Sequence, residues 1–176
     1  MTIHSCNGDR YDFVVARKFR DRQPLGPPPT ASSLAVSRSM KSNRRTDTLP
    51  ERLLDGQLRG LGADGFVRND SSLSGTPDIA FPSARVAVFV YGCFWHRCPW
   101  CQPGLPRVHR SFWKRKFERN RRRDRRKRDA LRRDGWSVFS VWECRLKGSP
   151  EKEAKRILVW VKDSRARPRS RIAAQP

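Results

Sequence analysis

The chain has 176 residues, and 39 Lys and Arg against 17 Asp and Glu give it a formal net charge of +22 at pH 7. Hydrophobic residues make up 36% and Trp occurs six times, which excludes a wholly disordered polycation and allows one folded domain. No apolar run is long enough to span a bilayer and the first 20 residues have no apolar signal-peptide core, so we expect a cytoplasmic protein. The positive charge favours a polyanionic partner, with nucleic acid as the first candidate.

Composition divides the chain into a core and two tails. Residues 1–33 are rich in Pro and basic residues without a sustained helical or strand period, and residues 164–176 are basic and contain Pro168. Both segments are expected to be disordered. The segment 34–163 carries periodic apolar patterns and is predicted to form the folded domain.

The first predicted element is a helix that begins near Thr48. Thr48 fits an N-cap, Pro50 a first-turn position and Glu51 the acidic partner of a capping box. Leucines then recur at helical spacing before a glycine that can end the helix: Leu53, Leu54, Leu58, Leu61 and Gly62.

Strands are predicted next along the chain. Residues 66–68 form a short candidate strand, and residues 77–81 and 85–91 are two further candidates joined by a turn at Pro82 and Ser83. The run 85–91 is almost continuously apolar, which is typical of a strand buried on both faces.

A long helix is predicted from Ser111, as the N-cap, to Asp134, with Gly135 as the stop signal. A strand over residues 136–142 and a last helix that begins at Ser149 and Pro150 complete the core. This order of helices and strands predicts an α/β layered domain.

Four cysteines have the spacing of a metal site. Cys98 and Cys101 form a C-x-x-C pair, Cys93 precedes them at short range, and Cys144 follows a predicted strand. Four thiolates suit a closed, structural zinc site. His96 in place of one cysteine and an arrangement without metal stay open, whereas a disulfide or a redox pair fits less well.

The long helix is strongly basic and carries an acid on its apolar face. Thirteen of the 20 residues 114–133 are Lys or Arg. At steps of three and four, Asp124 shares a face with Trp113, Phe117, Asn120 and Leu131, so its carboxylate must be paired, hydrogen-bonded or bound to metal. A salt bridge to a neighbouring Arg is the simplest alternative. The cationic face is either a phosphate-tracking surface or a solvated one.

Two short motifs near the strands are candidates for a site. Asp78 stands at the head of a strand, where nucleases often place a metal-binding acid, although Asp next to Pro is also ordinary turn chemistry. Phe94, Trp95 and His96 follow a buried strand directly and lie beside the cysteines. Packing in the core is the alternative interpretation of the two aromatic residues.

Together these motifs resemble the very short patch repair (Vsr) DNA mismatch endonucleases. The resemblance spans residues 37–146, and its motifs follow in the family's order: Ser39-Met40, Thr48 with Glu51, Gly75-Thr76-Pro77-Asp78, the run 88–96 that ends in Gly-Cys-Phe-Trp-His, Phe112-Trp113, Asn120 with Asp124, Gly135-Trp136 and Trp142-Glu143-Cys144. It implies a restriction-endonuclease-like core, a mixed β-sheet flanked by helices with a structural zinc site. The segment 34–163 would then be a Vsr-like endonuclease domain.

The resemblance implies roles for the acids and the histidine. Asp78 matches the family's Mg²⁺-binding aspartate, with the carbonyl of Val90 as the backbone ligand. His96 matches the histidine that activates water, and Asp124 matches the acid that supports it. Glu51 matches an acid that holds a water on the metal ion.

The resemblance also implies the zinc ligands and the DNA wedge. Cys93, Cys98, Cys101 and Cys144 match the structural zinc ligands. Phe94 and Trp95, with Met40, match residues that wedge into the duplex beside a mismatch, where unstacking a base step costs least. On the cationic helix, the candidate DNA contacts are Lys114, Arg121 and Arg122.

One position departs from the family's pattern. Tyr91 stands where relatives often have a second histidine, just before Gly-Cys-Phe-Trp-His. A phenol can donate a hydrogen bond to phosphate but carries no positive charge. This predicts a weaker turnover or a leaving-group step that is assisted differently.

These observations predict a Mg²⁺-dependent endonuclease that nicks one DNA strand at T·G mismatches, which arise when 5-methylcytosine deaminates. Its partner would be double-stranded DNA with such a mismatch, its structural metal zinc, its state monomeric and its location the nucleoid in the cytoplasm. Two alternatives stay open. One is a zinc-stabilised DNA-binding protein with weak catalysis, and the other is a nuclease of the same fold in restriction or another repair pathway.

Overall fold

The computed structural model describes residues 25–27, 29–30 and 46–166. Its helices and strands follow in this order: α1 (Leu49–Gly60), β1 (Val67–Arg68), β2 (Ile79–Phe81), β3 (Val86–Tyr91), α2 (Cys93–His96), α3 (Arg110–Arg133), β4 (Ser137–Trp142), α4 (Glu143–Gly148) and α5 (Pro150–Ala166). Among these described helices, none has the length and apolar character that crossing a membrane requires.

The predicted tails lie largely outside the described residues. Helix α5 continues to Ala166, three residues beyond the domain boundary predicted at 163. Met40, the third predicted wedge residue, also lies outside the described residues.

The four described strands form one mixed sheet in the order β1-β2-β3-β4. The β1–β2 and β2–β3 pairs are antiparallel, whereas β3 and β4 are parallel and pair from Val86 with Ser137 to Tyr91 with Trp142. Because parallel strands run the same way, the segments that follow Tyr91 and Trp142 leave the sheet at the same edge. The predicted site lies at that edge. The predicted mixed sheet flanked by helices is confirmed.

Alternate residues of β3 face two separate hydrophobic clusters. Val86 and Val88 pack with buried residues of α1, α4 and α5, whereas Ala87, Phe89 and Tyr91 pack against Leu131 of α3. The strand is therefore buried on both faces, as its continuous apolar run predicts.

Helix α1 begins as predicted, but its cap differs in detail. Thr48 is the N-cap and Pro50 lies in the first turn. The Thr48 hydroxyl donates to Oε1 of Glu51 (2.7 Å), and the backbone N–H of Asp47 donates to Oε2 (2.7 Å). Both bonds end on the Glu51 carboxylate, so this is not the reciprocal pair of a capping box. Glu51 is nevertheless buried and fixed in place.

The start of helix α3 corrects one prediction. The helix begins at Arg110, and its N-cap is His109 in the left-handed region (φ 55°), so the prediction of Ser111 as the N-cap is wrong. Ser111 lies inside the first turn instead. The end agrees with the prediction, since Asp134 caps the helix and Gly135 follows at φ 79°.

Two short helices were not predicted. Helix α2 occupies the segment 93–96, which follows β3 closely, and α4 follows β4 directly. With four and six residues, neither is long enough to show a helical period in its sequence.

Candidate active site

The Asp78 carboxylate lies against the backbone of β3. Asp78 directly precedes β2, and the pairing of Ile79 with Val88 places it beside the end of β3. The backbone N–H of Val90 donates a hydrogen bond of 2.6 Å to Oδ2 of Asp78. The predicted aspartate and the residue predicted to supply the backbone ligand are therefore in direct contact.

Burial makes the Asp78 carboxylate costly to ionise. It raises the pKa of Asp78 to about 7, against the hydrogen bond from Val90 and the positive charge of Lys127, which both lower it. The nearby charge of Glu51 raises the pKa further. A divalent cation beside these two acids would offset the cost, and their carboxylate oxygens are the hard ligands that Mg²⁺ prefers.

His96 and Asp124 form a hydrogen-bonded pair. His96 ends α2, Asp124 lies in α3, and Nδ1 of His96 bonds to Oδ2 of Asp124. The side chain of Asp124 is 6% exposed and that of His96 is 19% exposed. Because the carboxylate accepts from Nδ1–H, the other ring nitrogen, Nε2, is left to accept a proton. The salt bridge considered as the alternative is also present but longer, with Arg123 Nη2 3.7 Å from Asp124 Oδ1.

Tyr91 connects these two groups. It follows Val90 directly, and its ring stacks on that of His96 with the centroids 4.6 Å apart and the planes inclined by 23°. Burial raises the pKa of Tyr91 to about 12, so the phenol stays neutral near pH 7. Asp78 and His96 thus lie at the same end of β3, joined through two consecutive residues of that strand.

Lys127 and Arg128 bring positive charge to this site, and neither was predicted. Lys127 Nζ donates to the carbonyl of Gly75 (2.9 Å), and Arg128 Nη1 lies 3.5 Å from the hydroxyl of Tyr91. A run of 13 basic residues does not by itself reveal which of them face inward. Their spacing of three and four from Asp124 was the signal that could have identified them.

The glycine of the Gly-Thr-Pro-Asp motif is needed for this contact. Gly75 has φ 82°, and a Cβ at this position would lie 2.6 Å from Cγ of Lys127. No other residue allows both the backbone conformation and the approach of Lys127 without a shift. The glycine therefore fixes the loop that leads into Asp78.

The predicted wedge residues are partly buried in an aromatic cluster. Phe94 packs edge-to-face on Trp113 and Phe117, with centroids 5.6 and 5.1 Å apart, and Trp95 lies 6.0 Å from Trp113. Asn120 Nδ2 donates to the carbonyl of Trp95 (3.0 Å) and so ties α2 to α3. Both rings are half-buried, which leaves part of each accessible.

The three predicted DNA contacts of α3 differ in exposure. Lys114 and Arg121 are exposed and Arg122 is half-buried. The buried face of the helix consists of Phe117, Asn120, Asp124 and Leu131, as the spacing predicts.

The four predicted zinc ligands come together. The Sγ atoms of Cys93, Cys98, Cys101 and Cys144 lie within 4.8 Å of one another. Those of Cys98 and Cys144 are 3.8 Å apart. A tetrahedron with Zn–S bonds of about 2.3 Å has edges of about 3.8 Å, so the sulfur atoms fit a tetrahedral metal ion.

The surroundings of Cys98 favour the thiolate form that binds a metal ion, whereas burial raises the pKa of Cys93 and of Cys101. Burial alone would raise the pKa of Cys98, but hydrogen bonds from the backbone N–H groups of Cys101 and Trp100 hold it below its usual value. His96, the alternative ligand, is bound to Asp124 instead. The cluster also joins the chain just after β3 to the chain just after β4, since the N–H of Cys144 donates to Sγ of Cys93 (3.3 Å).

The sequence of this chain is similar to those of known proteins. Residues 33–102 match the family model of the DNA mismatch endonuclease Vsr. The DNA mismatch endonuclease Vsr of Escherichia coli (strain K12) is 35% identical over 129 residues, which cover 71% of this chain and 82% of the relative. This chain belongs to the Vsr family.

Two type II nicking enzymes are also similar to this Vsr-family chain. V.XorIIP of Xanthomonas oryzae pv. oryzae is 42% identical over 122 residues, which are 68% of this chain and 88% of the relative. V.NaeI of Lentzea aerocolonigenes is 39% identical over 119 residues, 65% of this chain and 71% of the relative. The predicted family, the restriction-endonuclease-like fold and the class of enzyme, a DNA endonuclease, are confirmed.

Proposed function

We propose that this Vsr-family endonuclease nicks one strand of duplex DNA at a T·G mismatch and requires Mg²⁺. One observation carries the proposal. A continuous set of contacts runs from the Asp78 carboxylate through Val90 and Tyr91 to the His96–Asp124 pair. These contacts bring a carboxylate and an imidazole to one edge of the sheet, which supports a metal ligand and a general base there.

The reaction is the hydrolysis of a phosphodiester. The oxygen of a water molecule forms a bond to phosphorus, one P–O bond to a sugar breaks, and a phosphate monoester and an alcohol result. Nε2 of His96 accepts the proton of the attacking water, while Asp124 holds the Nδ1–H and stabilises the imidazolium that forms. Asp78 and the carbonyl of Val90 would hold Mg²⁺, which would supply positive charge that offsets the charge developing on the phosphate.

Glu51 supports the same site from α1. Its carboxylate is buried and fixed by two hydrogen bonds, and its charge acts on Asp78. We assign it the role of orienting a water next to Asp78. The two hydrogen bonds from Thr48 and Asp47 are compatible with this role, since they leave further lone pairs on the Glu51 carboxylate.

The cysteine cluster has a structural part in this proposal. Four thiolates leave no open position for a substrate, so zinc there would brace the chain beyond β3 and β4 without taking part in the reaction. The adjacent segment carries His96, so loss of zinc would disturb the geometry of the base.

A mismatch as the target is supported by the aromatic pair and by the similarity to a DNA mismatch endonuclease, and the T·G pair is what the resemblance to the Vsr family implies. Phe94 and Trp95 are large, partly accessible and close to His96 in sequence, which suits a wedge that unstacks a base step. Met40 belongs to the same proposed wedge. Lys114, Arg121 and Arg122 of α3 are proposed to bind the DNA backbone. Monomeric action at the nucleoid in the cytoplasm stays a prediction.

A nicking assay on three duplexes that differ only in one base pair tests the proposal. With Mg²⁺ present, the T·G duplex should be nicked and the T·A and C·G duplexes should not. Asp78→Ala and His96→Ala should abolish or strongly reduce nicking while the proteins still bind DNA. Equal nicking of all three duplexes would favour a nuclease of another pathway, and binding without Mg²⁺-dependent nicking would favour a DNA-binding protein.

A further inference from the structure

Helix α3 carries two cations on the face that holds Asp124. Lys127 and Arg128 follow Asp124 by three and four residues, so the three side chains occupy one side of the helix over a single turn. They reach different places. Lys127 ends on the carbonyl of Gly75, near Asp78, whereas Arg128 ends on the hydroxyl of Tyr91, whose ring covers His96.

In the contact between Arg128 and Tyr91, the phenol O–H and further guanidinium N–H groups can still donate hydrogen bonds to another acceptor. The guanidinium donates to the phenol oxygen at 3.5 Å, so the phenol's own hydrogen stays available to another acceptor. Among the residues that the structure describes, no carboxylate forms an ion pair with Arg128. Arg128 is half-buried, so its charge is held at the site rather than in open solvent.

These donors match a phosphodiester. A guanidinium presents a planar fork that binds two phosphate oxygens at once, and its positive charge does not depend on pH near neutrality. Tyr91 offers one further donor but no charge. Asp78, Asp124 and Glu51 are all acids and cannot attract a phosphate. Arg128 supplies a positive charge beside Tyr91 that these three side chains do not.

We propose that Arg128 is a catalytic residue that binds the scissile phosphodiester and stabilises the negative charge that develops during cleavage, with Tyr91 as the residue that positions it. This inference rests on the proposed function, because it assigns Arg128 to the same reaction. It differs from a general role of the basic helix in DNA binding. Arg128 would act on one phosphate, at the reaction centre, and mainly on the rate.

Single-turnover nicking of the T·G duplex at saturating enzyme separates rate from affinity. Arg128→Ala should slow the reaction by about 10²–10³-fold, the usual effect of removing one preorganised donor to a developing charge. Arg128→Lys should recover part of the rate, because it restores the charge without the fork. Arg132→Ala is the matched control, since it removes one exposed Arg one turn further along α3 and should leave the rate unchanged.

Tyr91→Phe tests the positioning role. It removes the hydroxyl and keeps the ring that stacks on His96. It should slow nicking in the wild-type background and have little further effect in the Arg128→Ala background, because the two residues act through one contact. Equal effects in both backgrounds would overturn the positioning role of Tyr91.

A binding measurement without Mg²⁺ tests the phosphate contact itself, whether or not the protein cleaves. A neutral methylphosphonate is placed in turn at each phosphate that flanks the mismatch. At one position it should weaken binding by the wild-type protein by about tenfold and leave binding by Arg128→Ala nearly unchanged.

The two experiments distinguish the failure of the inference from the failure of the proposed function. If the wild-type protein binds but does not nick the T·G duplex, the proposed function is wrong. The methylphosphonate scan then still tests whether Arg128 contacts one phosphate. If the wild type nicks and Arg128→Ala is as fast as Arg132→Ala, the inference is wrong. The inference is also wrong if every methylphosphonate weakens DNA binding by the wild type and by Arg128→Ala to the same extent.

Discussion

The contact between Gly75 and Lys127 allows one prediction with a magnitude. Replacing Gly75 by Ala places a methyl group 2.6 Å from Cγ and 2.7 Å from Cβ of Lys127, in a backbone with φ 82°. The left-handed conformation alone costs a residue other than Gly about 1–2 kcal/mol. The near part of the Lys127 side chain cannot swing away cheaply, because Cβ is fixed to the helix.

The overlap adds a second cost. Overpacking of this kind typically costs about 1–3 kcal/mol. If Lys127 moves, it also gives up its bond of 2.9 Å to the carbonyl of Gly75, which contributes about 1 kcal/mol. Gly75→Ala should therefore lower the free energy of unfolding by about 3–6 kcal/mol, a large share of the stability of an ordinary domain.

Urea unfolding of a double-mutant cycle measures the two costs separately. Gly62 also has a positive φ, of 74°, but a Cβ there meets nothing within 4 Å, so Gly62→Ala should cost only the conformational share of about 1–2 kcal/mol. In a Lys127→Gly background, Gly75→Ala should cost about the same as Gly62→Ala, because Cβ, Cγ and Cδ of Lys127, the three atoms that the new methyl group would overlap, are all absent. A cost of Gly75→Ala that is equal with and without the Lys127 side chain would refute this reasoning.

Three further predictions concern the site. Asp124→Asn should slow nicking by about 10²–10⁴-fold with little change in DNA affinity, because it removes the negative charge that stabilises the imidazolium of His96, as single-turnover kinetics would show. The pKa of Asp78 is raised to about 7 by burial, so the metal-free folded state binds more protons than the unfolded state between pH 4 and 7. The free energy of unfolding of the metal-free protein should therefore fall as pH rises through that window. The midpoint of urea unfolding of Asp78→Asn should not show this fall. Removal of zinc by a chelator should unfold or precipitate the protein, whereas metal analysis of folded protein should find one zinc, and its absence would reject the assignment.

The sequence predicts the parts of the fold whose patterns are long. The apolar run of β3, the β-branched and aromatic residues of β4 and the leucine spacing of α1 each identify an element, because burial imposes a period on enough residues. The helices α2 and α4 are too short for a period. His109 as an N-cap was missed because the sequence rule looks for Ser, Thr, Asp or Asn, whereas His109 has a left-handed backbone and makes no side-chain capping hydrogen bond.

The candidate site divides in the same way. The inward position of Asp124 and the spacing of the cysteines can be read from the sequence. In the structure Asp124 is buried, and the four cysteine sulfur atoms lie close to one another. The contact of Asp78 with Val90 depends on the register of β2 against β3, which the sequence does not state. The inward cations Lys127 and Arg128 are hidden among 13 basic residues of similar propensity.

A titration of Mg²⁺ in the nicking assay tests most directly whether Asp78 and His96 act on one phosphate. The wild-type protein should reach a saturated rate on the T·G duplex. His96→Ala should saturate at a similar Mg²⁺ concentration with a rate lower by about 10²–10⁴-fold, because it keeps the metal ligands and loses the base. Asp78→Ala should show no saturable dependence on Mg²⁺ at all. An Asp78→Ala protein that nicks with the wild-type rate and the wild-type Mg²⁺ requirement would contradict the account.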